Sequence, residues 1–123
     1  MRFAASPASV GSARRLVRAR LPSWGLEDLV DACALVVSEC ATNSVRATEG
    51  DGESAFVVVR LRLTPTQLFA EIDDASPAPP VTRRAGEDAE DGRGLFLVAE
   101  YADQWGWYPT TGGKRVYAAW NLC

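Results

Sequence analysis

The stretch V-V-S-E-C-A-T-N-S-V-R, residues 36–46, decides how this chain folds. At about 100° per residue, Leu26, Leu29, Val30, Cys33, Val36, Val37, Cys40, Ala41 and Ser44 fill one broad arc of a helix running from about Leu26 to Thr48, and that arc is its core face. On the same wheel Asn43 lies roughly 20° and Glu39 roughly 60° beyond the edge of the arc, on the same side. A carboxylate and a carboxamide one turn apart at the edge of a buried stripe can line a cleft and share one ligand. Taken alone, an E-x-x-x-N pair is also what an ordinary solvated helix flank contains.

Working outward, the period changes after the turn-rich E-G-D-G at 49–52. In A-F-V-V-V-R-L-R-L, residues 55–63, Ala55, Val57, Val59, Leu61 and Leu63 share one face while Arg60 and Arg62 point the other way. After T-P-T at 64–66, the next strand turns Leu68, Ala70 and Ile72 inward, and the same alternation carries Asp74 to the inward face. A carboxylate on the core side requires buried donors, from the protein or from a ligand. Residues 75–91, A-S-P-A-P-P-V-T-R-R-A-G-E-D-A-E-D, are too polar and Pro-rich for regular structure and read as a lid. G-R-G-L-F-L-V-A-E-Y then opens a helix, with Gly92 and Gly94 allowing a ligand close to the backbone and its free N–H groups. Helix entry after a loop explains those glycines nearly as well.

Upstream, Ser6 and Pro7 read as the N-cap and first residue of a helix that Pro22 stops at about Leu21, and residues 2–5 read as a short edge strand. Downstream, Q-W-G-W-Y-P at 104–109, the T-T-G-G turn at 110–113 and R-V-Y-A-A-W at 115–120 form a terminal hairpin. The expected fold is an α/β (α+β) two-layer sandwich: one mixed, mostly antiparallel sheet, covered on one face by three helices, with Arg60, Arg62 and Glu71 on the open face. With 123 residues and no repeat, the chain makes a single domain over residues 1–123.

Composition narrows the chemistry. There is no histidine, which removes serine-histidine and cysteine-histidine nucleophile systems and the usual zinc sites. A general base here is a carboxylate. Cys33, Cys40 and Cys123 form no C-x-x-C pair and read as packing residues. A net charge of -3 argues against a nucleic-acid surface, and Arg14, Arg15, Arg18 and Arg20 read as a solvated helix face. No apolar run approaches the roughly 18 residues of a membrane span. M-R-F-A-A-S-P lacks the apolar core of a secretory signal, which points to the cytoplasm.

Glu39 and Asn43 on a helix, a strand ending in an aspartate with D-A-S-P-A-P-P from it onward, a lid, then G-R-G-L, resemble the ATP-binding fold shared by gyrase, heat-shock chaperones and sensor histidine kinases. The match is to the small branch of anti-sigma-factor serine/threonine kinases and their actinobacterial relatives, and it covers essentially the whole chain. That resemblance implies ATP and Mg²⁺ as cofactors. It implies that Asn43 binds the magnesium, that Glu39 acts as general base or orients the nucleophile, and that Asp74 accepts the adenine amino group. It further implies that Ala47 and Ser76 border the nucleotide, that Gly92, Arg93, Gly94 and Leu95 form the phosphate loop, and that Lys114 contacts phosphate. The chain departs from the branch at Ala47, where relatives commonly carry histidine, and at Lys114-Arg115, where they often show lysine then threonine.

The functional expectation is an ATP-binding regulatory protein, an anti-sigma factor that phosphorylates a serine or threonine of an anti-sigma antagonist. A sigma factor and that antagonist are then its protein partners, nucleic acid and membrane are not, and homodimer formation stays open. Retention of both Glu39 and Asn43 favours transfer. The alternative is a non-catalytic nucleotide-sensing module that sequesters a regulatory partner, which the departures at Ala47 and Arg115 favour. A plain α/β domain without nucleotide is the third reading.

Overall fold

A computed structural model describes residues 1–48, 55–80 and 94–122, with side chains from residue 98 onward in the last segment. The elements run β1 (Arg2–Ala4), α1 (Pro7–Ser23), a 3₁₀ turn (Glu27–Leu29), α2 (Val30–Ala47), β2 (Phe56–Leu63), β3 (Gln67–Asp74), α3 (Gly94–Tyr101), β4 (Gln104–Thr110) and β5 (Gly113–Asn121). The strands form one fully antiparallel sheet in the order β1-β2-β3-β5-β4. This is the expected two-layer α/β sandwich.

Register follows from alternation. Val57, Val59, Leu68, Ile72, Val116 and Ala118 alternate onto the helix side and are buried against Ala13, Val17 and Leu21 of α1, Cys33, Val36, Val37 and Cys40 of α2, and Val98 of α3. Each fully buried valine, leucine or isoleucine of this set is worth about 1.5–3 kcal/mol of apolar burial. The expected stripe of α2 is buried from Cys33 through Ser44.

The open face of the sheet is charged and tied together in pairs. Arg60 donates to Asp73 Oδ2 at 2.9 Å, and Arg115 grips Asp73 with Nε at 2.6 Å and a second nitrogen at 2.9 Å. Arg62 lies 3.7 Å from Glu71 and covers the ring of Phe69 at 4.3 Å. Although partial burial pushes the Asp73 carboxyl up, the hydrogen bonds from Arg115 and Arg60 outweigh it and hold the group below its ordinary value of 3.8. Arg60, Arg62 and Glu71 thus lie where the sequence pattern puts them.

Three boundaries differ from the sequence reading. Helix α1 continues through Pro22, because in the last turn a proline removes only one intrahelical bond and the chain needs another device to stop. That device is Gly25 at φ +75°, which lets the Trp24 and Gly25 N–H groups close back on Leu21 and Pro22. The helix after it starts at Val30, since residues 27–29 wind as a tighter 3₁₀ turn. The last hairpin turns within Thr111-Gly112, so that Thr110 and Gly113 are already paired strand residues. Among the described residues no helix is long and apolar enough to cross a membrane.

Candidate functional site

Strand alternation brings Asp74 to the helix side at the end of β3, directly opposite Lys114 on β5. Both side chains are almost sealed from solvent, Lys114 at 1% and Asp74 at 0% exposure. Lys114 Nζ donates to Asp74 Oδ1 at 3.0 Å and, at the long limit of 3.4 Å, to the Ser76 carbonyl oxygen. The Ser76 backbone N–H also donates to Oδ1, at 2.9 Å. Ser76 is itself buried, and its hydroxyl oxygen accepts from the Ala78 N–H, which fixes the chain as it leaves the sheet.

The two carboxylate oxygens are unequal. Oδ1 carries two hydrogen bonds, whereas Oδ2 has none, although Nζ stands 3.0 Å away outside hydrogen-bonding geometry. The ammonium nevertheless neutralises both oxygens, so the pair is a buried ion pair in which Oδ2 is the less well served side.

Gly113 makes this corner possible. A Cβ at residue 113 would sit 1.9 Å from the Asp74 carbonyl oxygen and 2.8 Å from the Ala75 carbonyl carbon, both backbone atoms that cannot swing aside. No side chain fits there, and β5 approaches the Asp74 corner only as glycine. Reading 110–113 as a turn missed this residue; the signal was a second glycine where a two-residue turn needs only Gly112. Lys114, for which the resemblance implies a phosphate contact, is bonded to Asp74. Alternation could have found this, because Val116, Ala118 and Trp120 are buried and two residues back from Val116 is Lys114.

The other expected residues lie around this corner on separate elements. Glu39 and Asn43 are half-buried on α2, the helix that packs on β3, and neither side chain has a hydrogen bond or ion pair among the described residues. Their neighbours are fixed: Ser38 donates to the Ala34 carbonyl oxygen and Thr42 to that of Ser38. Ala47 is exposed at the end of α2. Gly94 and Leu95 open α3. Gly92, Arg93 and the lid lie outside the described residues, apart from its start at 75–80. No hydrogen bond links Glu39 or Asn43 to the Asp74, Ser76 and Lys114 group, so the structure ties together only these last three.

Beneath α2's flank, burial pushes the Cys33 thiol up to about 12, and burial together with the nearby Glu39 charge does the same for Cys40. These are inert packing groups. Among the described residues no cluster of three or more His, Cys, Asp or Glu side chains could hold a metal ion by itself. Asn43 and Glu39 nevertheless supply hard oxygen donors, which suits Mg²⁺, a cation that takes much of its shell from water and phosphate.

No curated protein sequence matches the chain. A family model does, over residues 3–120, from the edge strand β1 to the buried end of β5, and it is the model of the histidine kinase-like ATPase domain. An antiparallel sheet with helices on one face, an inward aspartate closing its central strand and a match across nearly the full length agree: the chain belongs to the histidine kinase-like ATPase domain family.

Proposed function

We propose that this protein binds Mg-ATP and acts as an anti-sigma factor that phosphorylates a serine or threonine of an anti-sigma antagonist. The observation that carries nucleotide binding is Asp74, an inward carboxylate ending the central strand whose Oδ2 makes no hydrogen bond, in a chain of the ATPase domain family. The exocyclic amino group of adenine is a donor that this oxygen can accept from.

Glu39 and Asn43 support the transfer step. Both are half-buried, and neither has a hydrogen bond or ion pair among the described residues, which leaves Glu39 able to take up or orient the proton of an attacking hydroxyl. The Asn43 carboxamide oxygen would hold the magnesium. When bound, that ion supplies charge neutralisation on the transferring phosphoryl group. Orientation of the hydroxyl and uptake of its proton remain with Glu39.

One observation favours the second reading, a nucleotide-sensing module that sequesters a partner without transfer. Lys114 is already ion-paired with Asp74, which leaves it less available to a phosphate. Labelled ATP with candidate antagonists separates the two. Under the kinase reading Glu39→Gln keeps ATP affinity within a few-fold and lowers phosphorylation by about 100-fold to 10,000-fold. Asn43→Ala weakens nucleotide binding and turnover together. A parent protein that binds Mg-ATP and labels no antagonist overturns the kinase and leaves the sensing module.

A further inference from the structure

Strand β2 runs eight residues, but its outer neighbour β1 covers only the first part of it. β1 pairs with Phe56, Val57 and Val58, and Met1 and Val59 exchange the last hydrogen bonds along this edge among the described residues. Backbone direction repeats every second residue of a strand, so the N–H and carbonyl groups of Leu61 and Leu63 point out of the same edge as those of Val59 and meet no described strand.

A cleft of about 360 Å³ follows this bare edge. Leu16 and Arg20 of α1 line it together with Leu61 from the helix side, and Arg60, Arg62 and Glu71 line it from the open face. Walls drawn from both faces of a sheet mark the space of one more strand, because a strand sends alternate side chains to each face.

The two faces suit different side chains. On the helix side Leu16 and Leu61 are half-buried and Leu63 is 40% exposed, so apolar residues laid opposite Leu61 and Leu63 would gain and give cover. Around the rest of the cleft the guanidinium groups of Arg20, Arg60 and Arg62 outnumber the single carboxylate of Glu71, which already has Arg62 at 3.7 Å and Arg115 at 3.9 Å. Arg20 is exposed and has no acidic partner among the described residues; its guanidinium lies 5.7 Å from the Trp24 ring. In a chain of net charge -3 this is a local inversion of sign. Charged side chains often keep a sheet edge unpaired. Arg60 and Arg62 instead reach inward to β3, onto Asp73 at 2.9 Å and over the Phe69 ring at 4.3 Å, so they lie across the open face rather than over the edge.

We propose that the edge of β2 at Leu61 and Leu63 is a docking site for an extended segment of a partner protein that adds as a strand in line with β1. The segment alternates apolar residues, turned toward Leu16 and Leu61, with acidic residues, turned toward Arg60 and Arg62. Main-chain hydrogen bonds to Leu61 and Leu63 hold it, and the alternate side chains select it. Leu63 stands opposite Leu68 and Val57 opposite Asp74, so this edge flanks the far end of β3 from Asp74, and the inference is independent of the nucleotide reading.

The test titrates the intact protein, without nucleotide, with an end-blocked heptapeptide alternating valine and glutamate and with its counterpart alternating valine and lysine. Fluorescence anisotropy of a dye on the peptide reads affinity, and amide hydrogen exchange reads the place. The glutamate peptide is expected to bind at least about tenfold more tightly than the lysine peptide, to weaken as salt rises, and to slow exchange at the Leu61 and Leu63 amides. Arg62→Glu should bring the two peptides within about twofold or reverse their order. The comparison of the two peptides on the parent needs no variant, so it holds even if Arg62→Glu folds poorly. Equal binding of both peptides, binding of neither, or protection that leaves Leu61 and Leu63 unchanged overturns the proposal. Protection of these two amides that grows with protein concentration in the absence of peptide also overturns it, since a second copy of the chain then occupies the edge.

Discussion

Removing one member of the Lys114–Asp74 pair should damage the fold far more than removing both. Lys114→Met leaves a carboxylate at 0% exposure with only the Ser76 N–H to serve it, and Asp74→Asn leaves an ammonium at 1% exposure facing an amide. Breaking a buried pair from one side typically costs about 3–5 kcal/mol, whereas replacing both partners by apolar groups of similar volume is often neutral or stabilising. Against a total of roughly 5–15 kcal/mol for a domain, each single variant should lose about a fifth or more of its stability. At about 3–6 °C per kcal/mol for a chain of this size, that lowers Tm by on the order of 10–25 °C. The double variant Asp74→Leu/Lys114→Met should recover most of the loss. Urea unfolding followed by tryptophan fluorescence reads this directly, because Trp120 is buried at 3% exposure and reports loss of the core. The pair is not isolated from water as described if Lys114→Met loses under about 1 kcal/mol, or if the double variant is no more stable than the worse single one.

Two further outcomes follow from the sheet. Gly113→Ala should destabilise by at least about 1–3 kcal/mol, because a Cβ cannot stand 1.9 Å from a backbone oxygen; the same variant should weaken ATP binding by displacing the Asp74 corner, and wild-type values in both measurements would remove Gly113 from its role. Asp73 has a carboxyl held below its ordinary value, so its ion pairs contribute stability in full above pH 3.8 and lose it as pH falls through the lower, folded value. Stability measured from pH 5 to pH 2 should thus fall less steeply in Asp73→Asn than in the parent.

Much of the fold was legible because each strand exposes one face and buries the other. Arg60 and Arg62 against Val57, Val59 and Leu61 are enough to orient β2, and the same rule carried Asp74 to the interior from its sequence position alone. The end of α1 was not legible in this way, since Pro22 is the louder signal while the Gly25 conformation does the stopping. Of the site, Glu39 and Asn43 were readable as a pair on a helix flank. What a wheel cannot supply is their relation to Asp74, which depends on how α2 sits across β3. The pairing of Lys114 with Asp74 was not legible in its local sequence, because it depends on the cross-strand register.

The register itself gives the dipeptides Asp73-Asp74 and Lys114-Arg115 a meaning that neither has alone. Asp73 stands opposite Arg115 and Asp74 opposite Lys114, so two acidic residues meet two basic ones across the two neighbouring strands, one match on each side of the sheet. Sliding β5 by one residue would turn Arg115 toward the interior and expose Lys114, so that Asp74 would face either Gly113 or the bulkier Arg115, and at most one of the two matches could re-form. The four charges therefore work as a key with one notch per face. They favour the native register over its neighbours, and the basic residue after Lys114 is the partner that Asp73 needs on the open face.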